Sequence, residues 1–431
     1  MSSTKITVRS EMRCRNTNCQ KNYSRWYADA DSLHVYEQCD TQSESDFVNG
    51  SERRESFDNG KIWSGYKDVY LDFLKPVDEK DEIGYYDFEP TIPDPVSGNL
   101  VTCGLLRYFI DGHIEAYDKY WSEGENKAPD HAYLVYRLPD GSIRQQFLQY
   151  EEGADYSPEN PRNVAYLDHN ISYPGKISLA SNGDLLIPIG VDVRSCCRIL
   201  GLEIREVFPS CPQIMFGVML VRAHWVSSDC RYNLTYSKPV VISDLLSSRG
   251  VCEPTVCELP SGKTIIVFRG SNERLINWHA RIIPNTPGFK WFTISSDGGK
   301  TFSQIMPWFF NTKEVVYSSA TISSFFKSSK TGHTYWIGNI TDPKKTNGNA
   351  PRWPLYICQV DDEYGFLKKE TLTEVDTRRD GESEEVQLSN FQLLENRETK
   401  ELEIRLCKIG IINGKPWEQT ESWTYYVGFI E

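Results

Sequence analysis

The chain has 431 residues and a formal net charge of −13, an acidic balance that argues against a protein whose main partner is nucleic acid. No segment approaches the ~18 consecutive apolar residues of a transmembrane helix, and the start Met1-Ser-Ser-Thr-Lys-Ile lacks the apolar run of a signal peptide. We therefore expect a cytoplasmic protein with neither a nucleic-acid nor a membrane partner, although local groups of arginine can still attract an anionic substrate.

Hairpins of one kind recur along the chain. A strand-like segment, Ser32-Leu-His-Val-Tyr, comes first. A hairpin follows that begins at Glu89-Pro-Thr-Ile, turns at Ser97-Gly98 and continues as Leu-Val-Thr-Cys. The same pattern returns as Glu253-Pro-Thr-Val, a turn at Ser261-Gly262 and Thr-Ile-Ile-Val-Phe. Short apolar strands joined by a glycine turn are typical of β-hairpins, so the chain repeats one antiparallel unit.

Three weaker copies of the hairpin begin at Tyr173, Ser319 and Ser389. The five hairpin anchors are spaced by 84, 80, 66 and 70 residues: Pro90, Pro174, Pro254, Ala320 and Asn390. Repeats of about 40–70 residues are typical of propeller blades. A sixth blade is expected where the final strand, Ser422-Trp-Thr-Tyr-Tyr-Val-Gly-Phe, pairs with Ser32-Leu-His-Val-Tyr and so closes the ring without an open sheet edge.

The repeats predict an all-β protein, a six-bladed β-propeller of four-stranded antiparallel blades. We expect residues 1–431 to form one propeller domain, in which residues 1–80 match no repeat and contribute to the closing blade. An irregular β-sandwich is the alternative fold.

A turn motif, Ser295-x-Asp297-x-Gly299-x-Thr301-Phe302, follows the hairpin at Glu253. Asp297 is expected to accept backbone N–H groups, Gly299 to adopt a positive φ, and Phe302 to pack under the turn. This is a complete Asp-box, which we interpret as a structural element of an outer hairpin. With it, the chain resembles the sialidase superfamily of Asp-box (BNR-repeat) propellers over residues 86–431, and the first 80 residues show no match.

In a propeller, the starts of the first strands and the ends of the second strands meet at one mouth of the central axis. The starts are Glu89, Tyr173, Glu253, Ser319 and Asn390, and the ends are Arg107, Asp192 with Arg194, Arg269, Asn339 and Arg405. Nearby loops add Asp111, His169, Tyr317 and Arg352. Because burying charge is costly without a partner, charged residues at these positions indicate a ligand site, although solvated loop charges are the alternative.

The resemblance implies roles for four of these residues. Glu253 corresponds to a Glu that helps to activate the nucleophile, and Arg269 to an Arg that binds the substrate carboxylate, for which a guanidinium fork is suited. Arg352, in Arg352-Trp-Pro-Leu, resembles a second carboxylate ligand. Asp111 resembles a general acid on the loop after the first blade's second strand, although Asp111-Gly112 is equally a turn dipeptide.

Two positions depart from the family pattern. Glu89 stands where the family has its first carboxylate-binding Arg, and Leu388 where it has the nucleophilic Tyr. A standard sialidase mechanism is therefore not expected. Glu89 and Glu253 can instead form the carboxylate pair of a glycosidase that cleaves a terminal, neutral or anionic sugar.

Two alternatives stay open. Tyr317, His169 and the arginines also suit a polysaccharide lyase that removes the C5 proton of a uronate, and a non-catalytic glycan-binding propeller fits the same positions. In every case the expected partner is a carbohydrate, with Arg107, Tyr173, Asn339 and Asn390 among the binding residues. No motif requires a cofactor, and the pair Cys14-x4-Cys19 lacks a second ligand pair, so no metal is expected.

Overall fold

The computed structural model describes residues 5–43, 48–69, 74–76, 82–87, 91–109, 130–152, 169–204, 216–248, 250–272 and 287–430. Its strands form six antiparallel sheets arranged in a ring, so the predicted six-bladed β-propeller is confirmed. Two of the candidate site residues, Glu89 and Asp111, lie outside the described residues. None of the helices in the described ranges has the length and hydropathy needed to span a bilayer.

The strands and blades are numbered in chain order. β1 (Lys5–Thr17) precedes blade 1, which holds β2 (Gln20–Tyr27), β3 (Val35–Gln42), β4 (Gly50–Ser56) and β5 (Lys67–Val69). Blade 2 holds β6 (Leu74–Pro76), β7 (Glu82–Asp87), β8 (Ile92–Pro93), β9 (Leu100–Phe109), β10 (Asp130–Arg137) and β11 (Ile143–Phe147). Blade 3 holds β12 (Ser172–Pro174), β13 (Ser178–Leu179), β14 (Leu185–Asp192), helix α1 (Val193–Leu200), β15 (Phe216–Val226) and β16 (Arg231–Tyr236).

The last three blades are more regular. Blade 4 holds β17 (Cys252–Glu258), β18 (Thr264–Arg269), β19 (Lys290–Ser295) and β20 (Met306–Pro307). Blade 5 holds β21 (Ser323–Lys327), β22 (Thr334–Asn339), β23 (Leu355–Gln359), a 3₁₀ turn (Lys369–Thr371) and β24 (Thr373–Asp376). Blade 6 holds β25 (Gln392–Glu395), β26 (Leu402–Lys408) and β27 (Gln419–Ile430), with β1 as its outermost strand.

Blades 2 and 3 depart from the four-stranded pattern because two short strands pair with the same neighbour. In blade 3, β12 and β13 both pair with β14, and in blade 2, β7 and β8 both pair with β9. In blade 2, β6 also pairs with β7, so its sheet contains six strands. The sheet of blade 3 contains five strands, and the other four sheets contain four.

Strands from both ends of the chain close the ring, but the N-terminal closing strand is β1. It pairs with β27 from Lys5 opposite Ile430 to Thr17 opposite Gln419. The expectation that Ser32-Leu-His-Val-Tyr closes the ring was wrong, because Val35 and Tyr36 begin β3 of a complete first blade. The five repeated hairpins are the inner hairpins of blades 2 to 6, so the hairpin at Glu89 belongs to blade 2 rather than to the first blade.

Apolar side chains from both faces of each sheet form cores between neighbouring blades. In β14, Leu185 and Ile187 pack towards blade 2, whereas Leu186 packs towards blade 4. Comparable clusters join blade 4 to blade 5 and blade 5 to blade 6. This two-sided burial explains why the inner strands of blades 3 to 6 are continuous apolar runs.

Blade 1 packs against blade 6 through buried ions. Glu37 of β3 is 0% exposed and accepts hydrogen bonds from Arg13 of β1 and from Arg25 of β2, each with a shortest distance of 2.6 Å. Arg25 also lies 3.4 Å from Glu403 of β26. The closing interface is therefore held by charge pairs in addition to the β1–β27 pairing.

Two outer turns share one hydrogen-bond pattern. In the predicted turn, Asp297 accepts the N–H groups of Lys300 and Thr301, both at 3.0 Å, and Gly299 has a φ of 85°. In blade 1, Asp58 accepts the N–H of Ile62 at 2.8 Å, and Ser56 Oγ accepts that of Gly60 at 2.9 Å. The segment Ser56-x-Asp58-x-Gly60 thus repeats the chemistry of the turn at Asp297 within the first 80 residues.

Candidate functional site

Glu253 lies on a β-bulge at the mouth of the propeller. The register between β17 and β18 shifts between Cys252 and Thr255, and Glu253 has a φ of 47°, in the left-handed region. A residue other than glycine in this conformation costs of order 1–3 kcal/mol, and a bulge re-aims the side chain that it carries. The strain therefore marks Glu253 as a functional candidate rather than as an ordinary strand residue.

Arg269, at the end of β18, is a charged neighbour of Glu253. Its Nε lies 3.0 Å from Glu253 Oε2, but the N–H points at Cys252 Sγ, 3.1 Å away, so the contact with Glu253 is ionic rather than a hydrogen bond. Arg269 Nη1 donates to the Ala320 carbonyl at 3.1 Å, which fixes the guanidinium between blades 4 and 5. Burial alone would lower the pKa of Arg269, but Cys252 and Glu253 raise it above its ordinary value.

Lys290 is a charged residue of this region that sequence reasoning missed. It opposes Arg269 in the β18–β19 pairing and is fully buried. Its Nζ donates to two acceptors of Thr321, the backbone carbonyl and, at 3.4 Å, the side-chain Oγ1. Burial and the charge of Arg269 lower the pKa of Lys290 to about 7. The sequence signal that could have identified Lys290 is a charged residue at the start of the otherwise apolar strand β19, opposite Arg269 of β18.

Arg352 belongs to the same charged group, because it also lowers the pKa of Lys290. Its Nε donates to the Asn349 carbonyl at 3.0 Å, and its Nη1 to Gln387 Oε1 at 3.1 Å. The side chain thus lies between blades 5 and 6. Of the residues that the sequence placed at one mouth, the structure thus puts Glu253 beside Arg269, while Arg352 acts on the neighbouring Lys290 through its charge.

Other predicted residues take different places. Arg107 is held in blade 2 by a bidentate pair with Asp130, with distances of 2.8 and 2.9 Å. Asn339 is fully buried, and its amide donates to the carbonyls of Arg352, Pro354 and Leu388, so it fastens the loop that carries Arg352 and is not open to a ligand.

The remaining candidates lie within or before the first strands of blades 3 and 5. Tyr317 packs on Phe289, with ring centroids 5.5 Å apart. Tyr173 in β12 is close enough to Arg269 to contribute to the raised pKa of that residue. His169 is half-buried just before β12.

A pocket of about 200 Å³ lies between blades 1 and 6. It is lined by Asn22, Tyr23, Ser24, Asp40, Gln42, Asn390, Gln392 and Arg405. These residues lie near the start of β2, near the end of β3, at the start of β25 and in β26, so the pocket opens at the same mouth as Glu253. Asn390, predicted as a binding residue, has a φ of 59° and is exposed here.

The pocket contains polar groups suited to a hydroxyl-rich ligand. Arg405 is 2% exposed and Ser24 is buried, and Arg405 Nε and Ser24 Oγ have no hydrogen-bond partner among the described residues. Burial raises the pKa of Asp40 above its ordinary value, although Ser51 and Gln38 donate to its Oδ1. Donors and acceptors that lack partners in a concave site are typical of ligand recognition.

A lysine crosses the axis beneath this mouth. Lys176, just after β12, donates its Nζ to the Phe391 carbonyl at 3.1 Å. Blades 3 and 6 are opposite each other in a ring of six, so the contact spans the centre. Burial lowers the pKa of Lys176 to about 8. The inner strands therefore converge as expected, and the charged group and the pocket share one end of the axis.

No protein-family model and no curated protein matches the sequence. A solved structure of a Dyadobacter fermentans protein of unknown function is similar with a TM-score of 0.55 and 13% identity, over 98% of this chain and 99% of that one. Trypanosoma rangeli sialidase is similar with a TM-score of 0.48 and 12% identity, over 94% of this chain and 54% of its own length.

An α-L-arabinofuranosidase from Fusarium graminearum is similar with a TM-score of 0.44 and 11% identity, over 94% of this chain and 92% of the enzyme. Of the Trypanosoma rangeli sialidase, by contrast, the chain spans only about half the length. At these identities the similarity concerns the fold alone.

Proposed function

We propose that this protein is a glycoside hydrolase that cleaves a terminal sugar in the mouth of the propeller, with Glu253 as a catalytic carboxylate. The observation that carries the proposal is the strained bulge that presents Glu253 beside Arg269, with a φ of 47° and an ionic contact of 3.0 Å. Strain of this kind persists where the surrounding structure enforces it, and it concentrates at catalytic and ligand-binding positions.

A glycosidase also needs a second carboxyl group, which protonates the leaving oxygen. The family resemblance places a general acid after the second strand of the first blade. Because blade 1 is β2–β5, the equivalent position in this ring lies at the end of β3, and we assign the general acid to Asp40, which lies near that end and lines the pocket. Burial raises the pKa of Asp40, which is the direction that a general acid requires.

In this assignment Asp40 donates a proton to the leaving oxygen, and Glu253 either attacks the anomeric carbon or removes a proton from water. A carboxyl separation of about 5–5.5 Å would retain the anomeric configuration, and about 6.5–9.5 Å would invert it. The polar pocket beside Asp40 supports recognition of sugar hydroxyls, and Arg269 supports recognition of a carboxylate by its planar fork.

A screen of aryl glycosides and anionic polysaccharides tests this proposal, with reducing sugar and ultraviolet absorbance read from the same reaction. A hydrolase releases reducing sugar without a rise in absorbance. A lyase forms a conjugated double bond, so a rise in absorbance would replace the proposal with β-elimination. Saturable binding without either signal would make the protein a glycan-binding propeller.

A further inference from the structure

The charged group at the mouth contains more positive than negative side chains. Arg269 and Lys290 occupy directly paired positions of β18 and β19, and Arg352 is their electrostatic neighbour. The nearby carboxylate is Glu253, which is 3.0 Å from Arg269. Among the described residues, no carboxylate oxygen lies within 4.0 Å of Lys290 Nζ, the distance limit for an ion pair.

Two adjacent cations are unfavourable in a buried position unless an anion compensates them. Lys290 is fully buried and Arg269 nearly so, so water compensates their charges poorly. Glu253 contacts Arg269 and offsets one of the three positive charges of Arg269, Lys290 and Arg352, so the group keeps a net positive charge in which Lys290 takes part. A ligand that brings a carboxylate to the mouth would supply that charge.

We propose that Lys290 is the residue that makes this site select an anionic sugar, a uronate or other carboxylated glycan, over its neutral counterpart. Lys290 acts through its charge rather than by contact, because Thr321 holds its Nζ and no part of the side chain reaches solvent. It is therefore a specificity-determining residue and not a catalytic one. This inference rests on the proposed carbohydrate function of the same site.

The charge of Lys290 depends on pH in the physiological range. Burial, Arg269 and Arg352 lower its pKa, Glu253 and Cys252 oppose them, and the result is about 7. Below that pH the lysine is protonated and attracts an anion, and above it the charge is lost. A bound carboxylate stabilises the protonated form, so binding at higher pH takes up a proton and becomes weaker.

The test is a glycan array with carboxylated glycans and their neutral counterparts, read with a series of protein concentrations at about pH 6 and about pH 8. We expect wild type to prefer carboxylated glycans at the lower pH and to lose about tenfold in apparent affinity at the higher pH, which corresponds to about one pKa unit of linkage. Lys290→Met should lose the preference at both pH values. Lys290→Arg, which keeps its charge, should retain it at both.

The outcomes separate this inference from the proposed function. Binding of carboxylated glycans that is unchanged in Lys290→Met and independent of pH would overturn the role of Lys290 and leave the carbohydrate function standing. A preference of wild type for neutral glycans would also overturn the role of Lys290 and leave the carbohydrate function standing. Binding to no glycan at all would refute the proposed function, and the inference with it. If Lys290→Met does not fold, the contrast between wild type and Lys290→Arg across pH decides.

Discussion

Removing the charge of Glu37 should destabilise the closure of the ring. Glu37 is 0% exposed and accepts from three arginines: Arg13 at 2.6 and 2.9 Å, Arg25 at 2.6 Å and Arg54 at 2.9 Å. Tyr66 donates to the same carboxylate at 2.8 Å. Glu37→Gln keeps the shape of the side chain but leaves three clustered guanidinium groups without their shared anion.

The expected cost is about 3–5 kcal/mol, the range found when one partner of a buried ion pair is removed. Glu401→Gln is the matched control, because Glu401 also pairs with an arginine of β1. Its partner Arg9 is 60% exposed, so this change should cost less than about 1 kcal/mol. Urea denaturation followed by tryptophan fluorescence measures both. A loss below about 1 kcal/mol for Glu37→Gln would refute the account of the closing interface.

The dependence of stability on acidic pH is a second test of the ion pairs of Glu37. Burial alone would raise the pKa of Glu37, but the hydrogen bonds from Arg13 and the charges of Arg25 and Arg54 hold it well below its ordinary value. Such a carboxyl contributes stability above its unfolded pKa of about 4.3, and this stability is lost as pH falls towards the folded value. Wild type should therefore lose stability more steeply below about pH 4 than Glu37→Gln does.

Two further predictions concern structural elements away from the mouth. Asp297→Ala should lower the melting temperature without changing catalysis, because it removes the acceptor of two turn N–H groups on an outer hairpin; equal melting temperatures by calorimetry would contradict this. Deleting residues 1–17 should cause aggregation, measured by size-exclusion chromatography, because it removes β1 and leaves the edge of β27 unpaired. A monomeric, cooperatively folding truncation would show that β1 is dispensable for closure.

The sequence predicted blades 2 to 6 because their inner strands are apolar on both faces. It missed blade 1 for a physical reason. Strands β2 to β4 carry Arg25, Glu37 and Arg54, which form ion pairs with one another, and Arg25 and Glu37 also pair with Glu403 and Arg13 of blade 6. The usual alternation of apolar residues is therefore absent. The segment Ser56-x-Asp58-x-Gly60 was a signal of a blade there that the sequence analysis overlooked, because it has the Ser, Asp and Gly spacing of the turn at Asp297.

The missing blade also affected the candidate site. Glu253 and Arg269 were found because they frame a clear hairpin, and their proximity follows from the β17–β18 pairing. Counting the hairpin at Glu89 as the first blade directed attention away from Asp40. The bulge at Glu253 and the burial of Lys290 depend on contacts with neighbouring strands and blades, which a single-sequence pattern does not encode.

Turnover by Glu253→Gln, compared with Glu258→Gln, tests the central claim most directly. Both residues lie in β17, but Glu258 is at the far end, where it accepts the Ser181 N–H at 2.9 Å. On a glycoside cleaved by wild type, we expect kcat to fall by several orders of magnitude for Glu253→Gln with KM little changed, and Glu258→Gln to turn over normally. Near-wild-type turnover by Glu253→Gln would contradict a catalytic mouth built around this carboxylate.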